Sequence, residues 1–293
     1  MNKNKAQAIG NPLLLRIIRR VYPVLEKVIP KLAFKLSFIL FFTPFKFKTP
    51  PREQEVLQKS IKFNQTINGK RTQFYSWGNE KQPLIILVHG WMGRASQFYK
   101  LVDALIVKNY HVVAFDGPAH GASGGRQTNV IDFSEAINCI ANKYGSIACA
   151  IGHSFGGITI LYAIEQGLEI NNVVLVATPS IASDIIKQFE EKINASPATG
   201  ENFRKGISQR YGVSFDTISA SELIKKVSLK SLLLVHDEND NDVPLAHADL
   251  IKAQFPAAKT IYTKGLGHTR ILRNETVIEK IALAIGATLN NEA

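Results

Sequence analysis

The chain reads as an α/β protein with a mostly parallel sheet covered by helices, and three observations predict this. Apolar strand-like runs alternate with helix-like segments from residue 84 to the C-terminal region. One of those runs leads through a glycine-flanked serine straight into an apolar helix. Ahead of the alternation lies a basic, proline-punctuated amphipathic stretch, predicted to be a helical arm over residues 1–58.

The arm holds most of the charge imbalance. Residues 1–59 contain 12 Lys/Arg and 3 Asp/Glu, a net of +9, and the other 234 residues contain 23 and 21, a net of +2. The net of +11 therefore belongs to one segment, which argues against a nucleic-acid-binding body. Charged and proline positions at 16, 19, 20, 23, 26, 27, 30, 31 and 35 mark one helical face. Ile17, Ile18, Val21, Leu25, Val28, Ile29, Leu32 and Leu36 mark the other. Pro23 and Pro30 predict short helices, broken or kinked there, or with each proline in a first turn. Leu36 to Phe45 is uncharged for ten residues, about half of what spans a bilayer. Two uses fit such an arm: lying on an anionic membrane through residues 1–50, or packing against its own domain or a sister subunit.

The body, residues 59–293, opens with an antiparallel hairpin, because Ser60 to Ile67 and Lys70 to Trp77 flank Asn68-Gly69, a type I′ turn pair. Leu84-Ile85-Ile86-Leu87-Val88 follows as a strand buried on both faces. Strands are predicted at 111–116, 146–151, 172–177, 231–236 and 259–263, with helices near 129–143, 156–167, 245–254 and 275–288. Between 180 and 229 three helical patches, Ile181 to Asn194, Asn202 to Tyr211 and Ser221 to Val227, predict a small helical cap.

The start of the chain is basic, but Arg16, Arg19 and Arg20 interrupt the apolar run and no clean cleavage site follows, so no secretory signal is read. Cys139 and Cys149 lie in apolar stretches without ligand spacing, which predicts reduced core thiols and a cytoplasmic setting. No phosphate loop, dinucleotide fingerprint or metal cluster is present, so no cofactor and no metal are expected. The stretch from Asp237 imitates a calcium loop, but its sixth position is Asp242 and its twelfth Ala248, where that loop needs glycine and glutamate.

Two G-x-S-x-G matches occur, Gly152-His153-Ser154-Phe155-Gly156 and Gly121-Ala122-Ser123-Gly124-Gly125. Chance alone gives about 0.1 matches in a chain this long, so the pattern by itself cannot choose between them. Context selects Ser154, which stands between a strand and a buried helix, where a strained turn exposes a nucleophile. A serine needs a base, and the base needs an orienting acid. Among seven histidines, His268 lies in the loop between the last strand and the last helix, completing the chain order Ser, Asp, His. The acid lies in the loop after the strand ending at His236, where Asp237, Asp240 and Asp242 compete. His89 and His153 sit in tight turns and are expected to hold backbone geometry.

The set Leu87-Val88-His89-Gly90-Trp91, Asp116 through Ser123, Gly152 through Gly157, His236 through Pro244 and Gly265-Leu266-Gly267-His268 resembles the α/β-hydrolase superfamily, in the family's order. Small bacterial esterases and lysophospholipase-like hydrolases look most similar. The resemblance implies Asp240 as the acid, four positions before the proline of its D-x-x-V-P stretch. It implies the amides of Trp91 and Phe155 as the oxyanion hole, with Met92 and Trp91 lining an acyl pocket. It implies a serine hydrolase acting on a small-molecule ester or thioester. A serine peptidase, a carbon–carbon bond hydrolase or a non-catalytic ligand-binding relative are the alternatives. Serine at position 154 disfavours the dehalogenase and epoxide-hydrolase branches, which use aspartate there. One departure is Pro118-Ala119-His120 where relatives have Pro-Gly-His.

Overall fold

The computed structural model describes residues 12–290. The first eleven residues of the arm, with Lys3 and Lys5, and the last three of the chain lie outside the described residues.

Three helices come first: α1 (Pro12–Val28), α2 (Pro30–Phe42) and α3 (Pro51–Gln58). Then β1 (Ile61–Ile67) and β2 (Lys70–Trp77) form the hairpin, with Asn68 and Gly69 at φ 47° and 75°, the left-handed pair a type I′ turn requires. The alternating part runs β3 (Leu84–Val88), α4 (Tyr99–Val107), β4 (His111–Asp116), α5 (Val130–Tyr144), β5 (Ile147–His153), α6 (Phe155–Glu165) and β6 (Asn172–Val176). Three helices, α7 (Ala182–Ile193), α8 (Pro197–Tyr211) and α9 (Ala220–Leu223), separate β6 from β7 (Ser231–Asp237). The chain closes with α10 (Ala246–Gln254), β8 (Lys259–Thr263), α11 (Gly267–Arg270) and α12 (Glu275–Asn290).

The eight strands lie in the order β1-β2-β4-β3-β5-β6-β7-β8. β1 and β2 run antiparallel to their neighbours, and every pairing from β4 onward is parallel. Because β3 sits between β4 and β5, the winding reverses beside it, and the carboxyl ends of β3 and β5 open a crevice there. β3 is buried at all five positions, and its residues alternate between two cores. Ile86 and Val88 pack with α5 and α6 on one face, and Ile85 and Leu87 pack with α4 and α12 on the other. The exposed edge strands β1 and β8 carry the polar sequences that such positions tolerate.

The arm packs on the helices between β6 and β7. Its two proline positions behave differently. Pro30 opens α2 at a first-turn position, but α1 continues through Pro23. Proline has no N–H to give the carbonyl of Arg19, and Asn194 at the end of α7 donates its Nδ2 to that oxygen at 3.2 Å instead. Arg19 in turn donates to the carbonyls of Glu191 and Lys192 in the last turn of α7. The buried face of α1 also departs from the simple division into charged and apolar sides. It centres on Tyr22, 1% exposed, and includes the charged Glu26, whose carboxylate accepts from the Ser196 amide and hydroxyl and from Thr199. Leu13, Ile17, Val21, Val24 and Val28, in contrast, form an exposed stripe. Two helices in contact share polar groups that a single-helix reading assigns to solvent.

α3 binds the body through a buried ion pair. Glu53 accepts from Arg94 Nε at 2.8 Å and from the Ser96 hydroxyl at 2.9 Å, and both charged residues are buried. Among the described residues no helix is long and apolar enough to cross a membrane. Removing one member of a buried pair leaves an uncompensated charge. Arg94→Met should therefore lose about 3–5 kcal/mol in urea denaturation, and Arg94→Met with Glu53→Met should lose clearly less.

Candidate active site

β5 delivers the candidate nucleophile. Ser154 follows His153 directly, has φ 53° and ψ −120°, and stands at the N-terminus of α6. A non-glycine residue in the left-handed region is strained, and its neighbours must leave room for it. They do so by being glycines. A Cβ on Gly152 would lie 2.6 Å from the Gly157 backbone, and one on Gly156 would lie 2.1 Å from the Val88 carbonyl oxygen. The turn is fixed by Ser154 N–H bonding to Val176 O at 2.8 Å and by Gly157 N–H bonding to Ser154 O at 3.0 Å.

The competing serine is a structural one. Ser123 is buried, donates to the Asp116 carbonyl at 2.5 Å and accepts the Gln73 amide at 2.8 Å. Its loop is organised by Asp116, whose carboxylate takes the amides of Ala95 and Ala122 and the Tyr75 hydroxyl. Ala119 in that loop has φ 66°, the conformation that glycine would adopt without strain.

His268 and Asp240 meet. The imidazole Nδ1 donates to Asp240 Oδ2 at 2.7 Å, and Asp240 Oδ1 accepts the amides of Asp242 and Val243, each at 2.9 Å. Burial alone would raise the Asp240 pKa, but the His268 bond and charge and the two amides outweigh it and hold the carboxylate below its ordinary range. The three candidate acids therefore separate by their contacts. Asp237 is fully buried and accepts from Thr263 Oγ1 and the Leu266 amide. Burial raises it, and those bonds more than reverse this, to about 2. It shapes the loop that carries His268. Asp242 is exposed. Asp240, Asp242 and His268 form a group close enough to share a metal ion. Because Asp240 and His268 already bond each other, the set fits an acid–base pair better than a cation cage.

Sequence reasoning gave His153 only a backbone role, and its contact is more specific. The ring lies 4.8 Å from that of His268, and its Nε2 donates to the His268 carbonyl at 2.9 Å. The residue beside the candidate nucleophile thus anchors the loop of the candidate base. His153 is pushed down to about 3, first by burial and then by His268, so it stays neutral. The Ser154 hydroxyl itself makes no hydrogen bond among the described residues. Ser154 and His268 line the same cavity, of about 1510 Å³.

The loop after β3 faces the elbow. A Cβ on Gly90 would come within 2.9 Å of the Ser154 Cβ. Gly93 N–H closes a turn onto Gly90 O, with Met92 at φ 58°, and the Met92 amide donates to His120 Nε2 at 3.0 Å. Among the described residues the Trp91 amide has no hydrogen-bond acceptor. Phe155 is the first residue of α6, where the helix supplies no acceptor for its amide. Both residues line the cavity, as does Met92. His120 had no assigned use in the sequence, and only its spatial approach to Met92 reveals one. His89 is buried, donates from Nδ1 to Gly90 O and accepts the Gly117 amide at Nε2, which joins the loops after β3 and β4. On the side of the helices between β6 and β7, His247 Nδ1 accepts the Ser180 amide, and its Nε2 faces Asp184 at 3.5 Å on the cavity wall.

A family model for the alpha/beta hydrolase fold matches residues 83–208. A solved esterase from Pyrococcus furiosus superimposes with TM-score 0.64 over 85% of this chain and 97% of that one, at 18% identity. The chain has the α/β-hydrolase fold. Among similar sequences, the human serine hydrolase-like protein is 31% identical over 88 residues, covering 28% of this hydrolase-fold chain and 43% of that protein. A monoacylglycerol lipase of Mycolicibacterium smegmatis is 26% identical over 120 residues, covering 37% and 43%. The chain thus spans under half the length of either relative in these matches.

Five imidazoles of this α/β-hydrolase fold, His89, His111, His120, His153 and His247, are buried and have their pKa lowered, in each case chiefly by burial; His89 falls to about 4. In the unfolded chain they titrate near 6.5. Below that value the unfolded state binds the extra protons, so stability falls with falling pH, by roughly 1.4 kcal/mol per pH unit for each fully titrating ring. The urea midpoint should drop clearly between pH 7.5 and pH 5; an unchanged midpoint would contradict neutral buried rings.

Proposed function

We propose that this chain is a serine hydrolase that cleaves a carboxylic ester or thioester of a small or lipid-like molecule through an acyl-enzyme. The observation that carries the reading is the 2.7 Å bond from His268 Nδ1 to buried Asp240, in the cavity that Ser154 lines from a left-handed elbow. The similarity to a serine hydrolase-like protein, a lipase and an esterase supports the same chemistry.

In this mechanism the Asp240 carboxylate keeps the proton of His268 on Nδ1 and leaves the Nε2 lone pair basic. As Ser154 Oγ bonds to the substrate carbonyl carbon, its proton passes to Nε2. The carbonyl oxygen becomes an oxyanion held by the amides of Trp91 and Phe155. Collapse expels the alcohol or thiol, which takes the proton from Nε2. Water then attacks the acyl-serine, its proton goes to Nε2 and returns to Ser154 Oγ, and the acid departs. Each proton that leaves one group arrives on another, and no cofactor enters the cycle.

The site is proposed to work against an anionic membrane surface. On α1 the exposed apolar stripe is flanked by exposed Arg16, Arg20 and Lys27, and Glu26, the single acid of α1, is turned onto Ser196. Such a face suits a headgroup region from which lipid-like esters are drawn. The free thiols of Cys139 and Cys149 suit the reducing, cytoplasmic side of that membrane.

A fluorophosphonate probe should label the wild type and leave Ser154→Ala unlabelled; equal labelling sinks the assignment. Asp240→Asn should lower kcat by about 10³–10⁴-fold while the fold is kept, measured on a panel of p-nitrophenyl esters. For the membrane surface, Ile17→Asp with Val24→Asp should abolish sedimentation with vesicles of phosphatidylglycerol, and the wild type should ignore vesicles of phosphatidylcholine. Equal pelleting of variant and wild type would remove this reading.

A further inference from the structure

The segment between α2 and α3, residues 43–50, has no regular secondary structure and runs Thr-Pro-Phe-Lys-Phe-Lys-Thr-Pro. Prolines at 44 and 50 keep it out of a helix, and its aromatic and basic side chains alternate as they do along an extended chain. Phe45 and Phe47 line the cavity of Ser154 and His268, while Lys46 and Lys48 do not. Lys46 is turned to the Ser123 carbonyl, which it binds at 2.5 Å. The strap is tethered to the loop after β4 near its start as well, because the Thr128 amide bonds to Phe42 O at 3.0 Å.

Neither Phe45 nor Phe47 belongs to a hydrophobic core cluster or stacks on another ring among the described residues. Phe41 and Phe42, by contrast, are consumed by packing against Phe203. Half-buried Phe45 and exposed Phe47 thus hold apolar ring surface at the cavity wall that no core cluster claims, and an occupant would cover it. The cap contributes matching apolar surface, Ile185, Phe189 and Phe215. At about 1510 Å³ the space exceeds the roughly 300–1,000 Å³ usual for small-ligand pockets.

We infer that the strap of residues 43–50 is a wall of the acyl site, and that Phe45 and Phe47 select esters with an acyl chain of roughly eight carbons or more. This rests on the proposed hydrolase reading for the ester bond, but not for the chain-binding wall. Each methylene removed from water by that wall favours binding about fourfold, and an ester-linked chain carries that preference into kcat/KM.

The test measures two quantities. The first is the ratio of kcat/KM for p-nitrophenyl octanoate over p-nitrophenyl butyrate, in wild type and in Phe45→Ala/Phe47→Ala. With four more methylenes at about fourfold each, the wild-type ratio should be roughly 250-fold, and the double variant should lower it at least about tenfold. Phe45→Leu/Phe47→Leu, which keeps the wall apolar, should retain most of it. A purely structural role would depress both esters together and leave the ratio unchanged, and that result overturns the inference. Should the double variant unfold, Phe47→Ala alone carries the comparison, since that ring is 37% exposed. The second quantity is the affinity of cis-parinaric acid for Ser154→Ala with and without the strap substitutions, expected to fall at least about tenfold. Fatty-acid binding weakened by the strap substitutions, in a protein that cleaves no ester, would sink the hydrolase reading and support the strap. Ester cleavage with an unchanged ratio would do the reverse.

Discussion

Two loops approach one another at the point where the sheet reverses its winding, and their closeness constrains everything around the site. The backbone after β3 and the elbow after β5 are so near that a methyl group on Gly156 would sit 2.1 Å from Val88 O, and one on Gly90 2.9 Å from the Ser154 side chain. Ser154 can hold φ 53° only because its glycine neighbours leave that space. The proposed donors, the Trp91 and Phe155 amides, belong to these same two loops, so the strain and the proposed oxyanion site would have one cause.

Around this contact the polar groups form a connected frame of loops. Asp116 gathers the loops after β3 and β4, His89 and His120 bind them to each other, and His153 holds the loop that carries His268. Asp237 shapes that loop from below through Thr263 and Leu266. Most of these groups are buried with their partners, and burial keeps the frame histidines neutral. A neutral imidazole can donate with one nitrogen and accept with the other, and His89 does so between two loops. His268 differs in being paired with a carboxylate, which is what a proton-accepting ring requires.

The N-terminal arm presents two different faces. Its inner side is tied to α7 and α8 by Tyr22, Glu26 and the reciprocal contacts of Arg19 and Asn194, and its strap reaches the cavity. Its outer side keeps an apolar stripe between cations. One segment thus carries a fixed inner face and a solvent-exposed outer one, and the proposed lipid-like substrate would meet both.

Much of this was legible in the residues alone. The hairpin turn needs Asn68-Gly69, the buried strand needs an unbroken aliphatic run, and the strained elbow needs glycine on both sides, so each feature is written locally and can be read locally. His268 was legible through chain order and loop position. What tertiary structure decided depends on partners distant in sequence. Asp237, Asp240 and Asp242 compete within one loop, where a family resemblance alone favours Asp240, and the physical contact that distinguishes it is the 2.7 Å approach of His268. The same holds for the arm, where a helix wheel assigns Arg19 and Glu26 to solvent. Helices some 170 residues away bring the hydrogen bonds that engage them. Local chemistry fixes backbone shape, but which polar group is satisfied inside the fold depends on what the rest of the chain brings within reach.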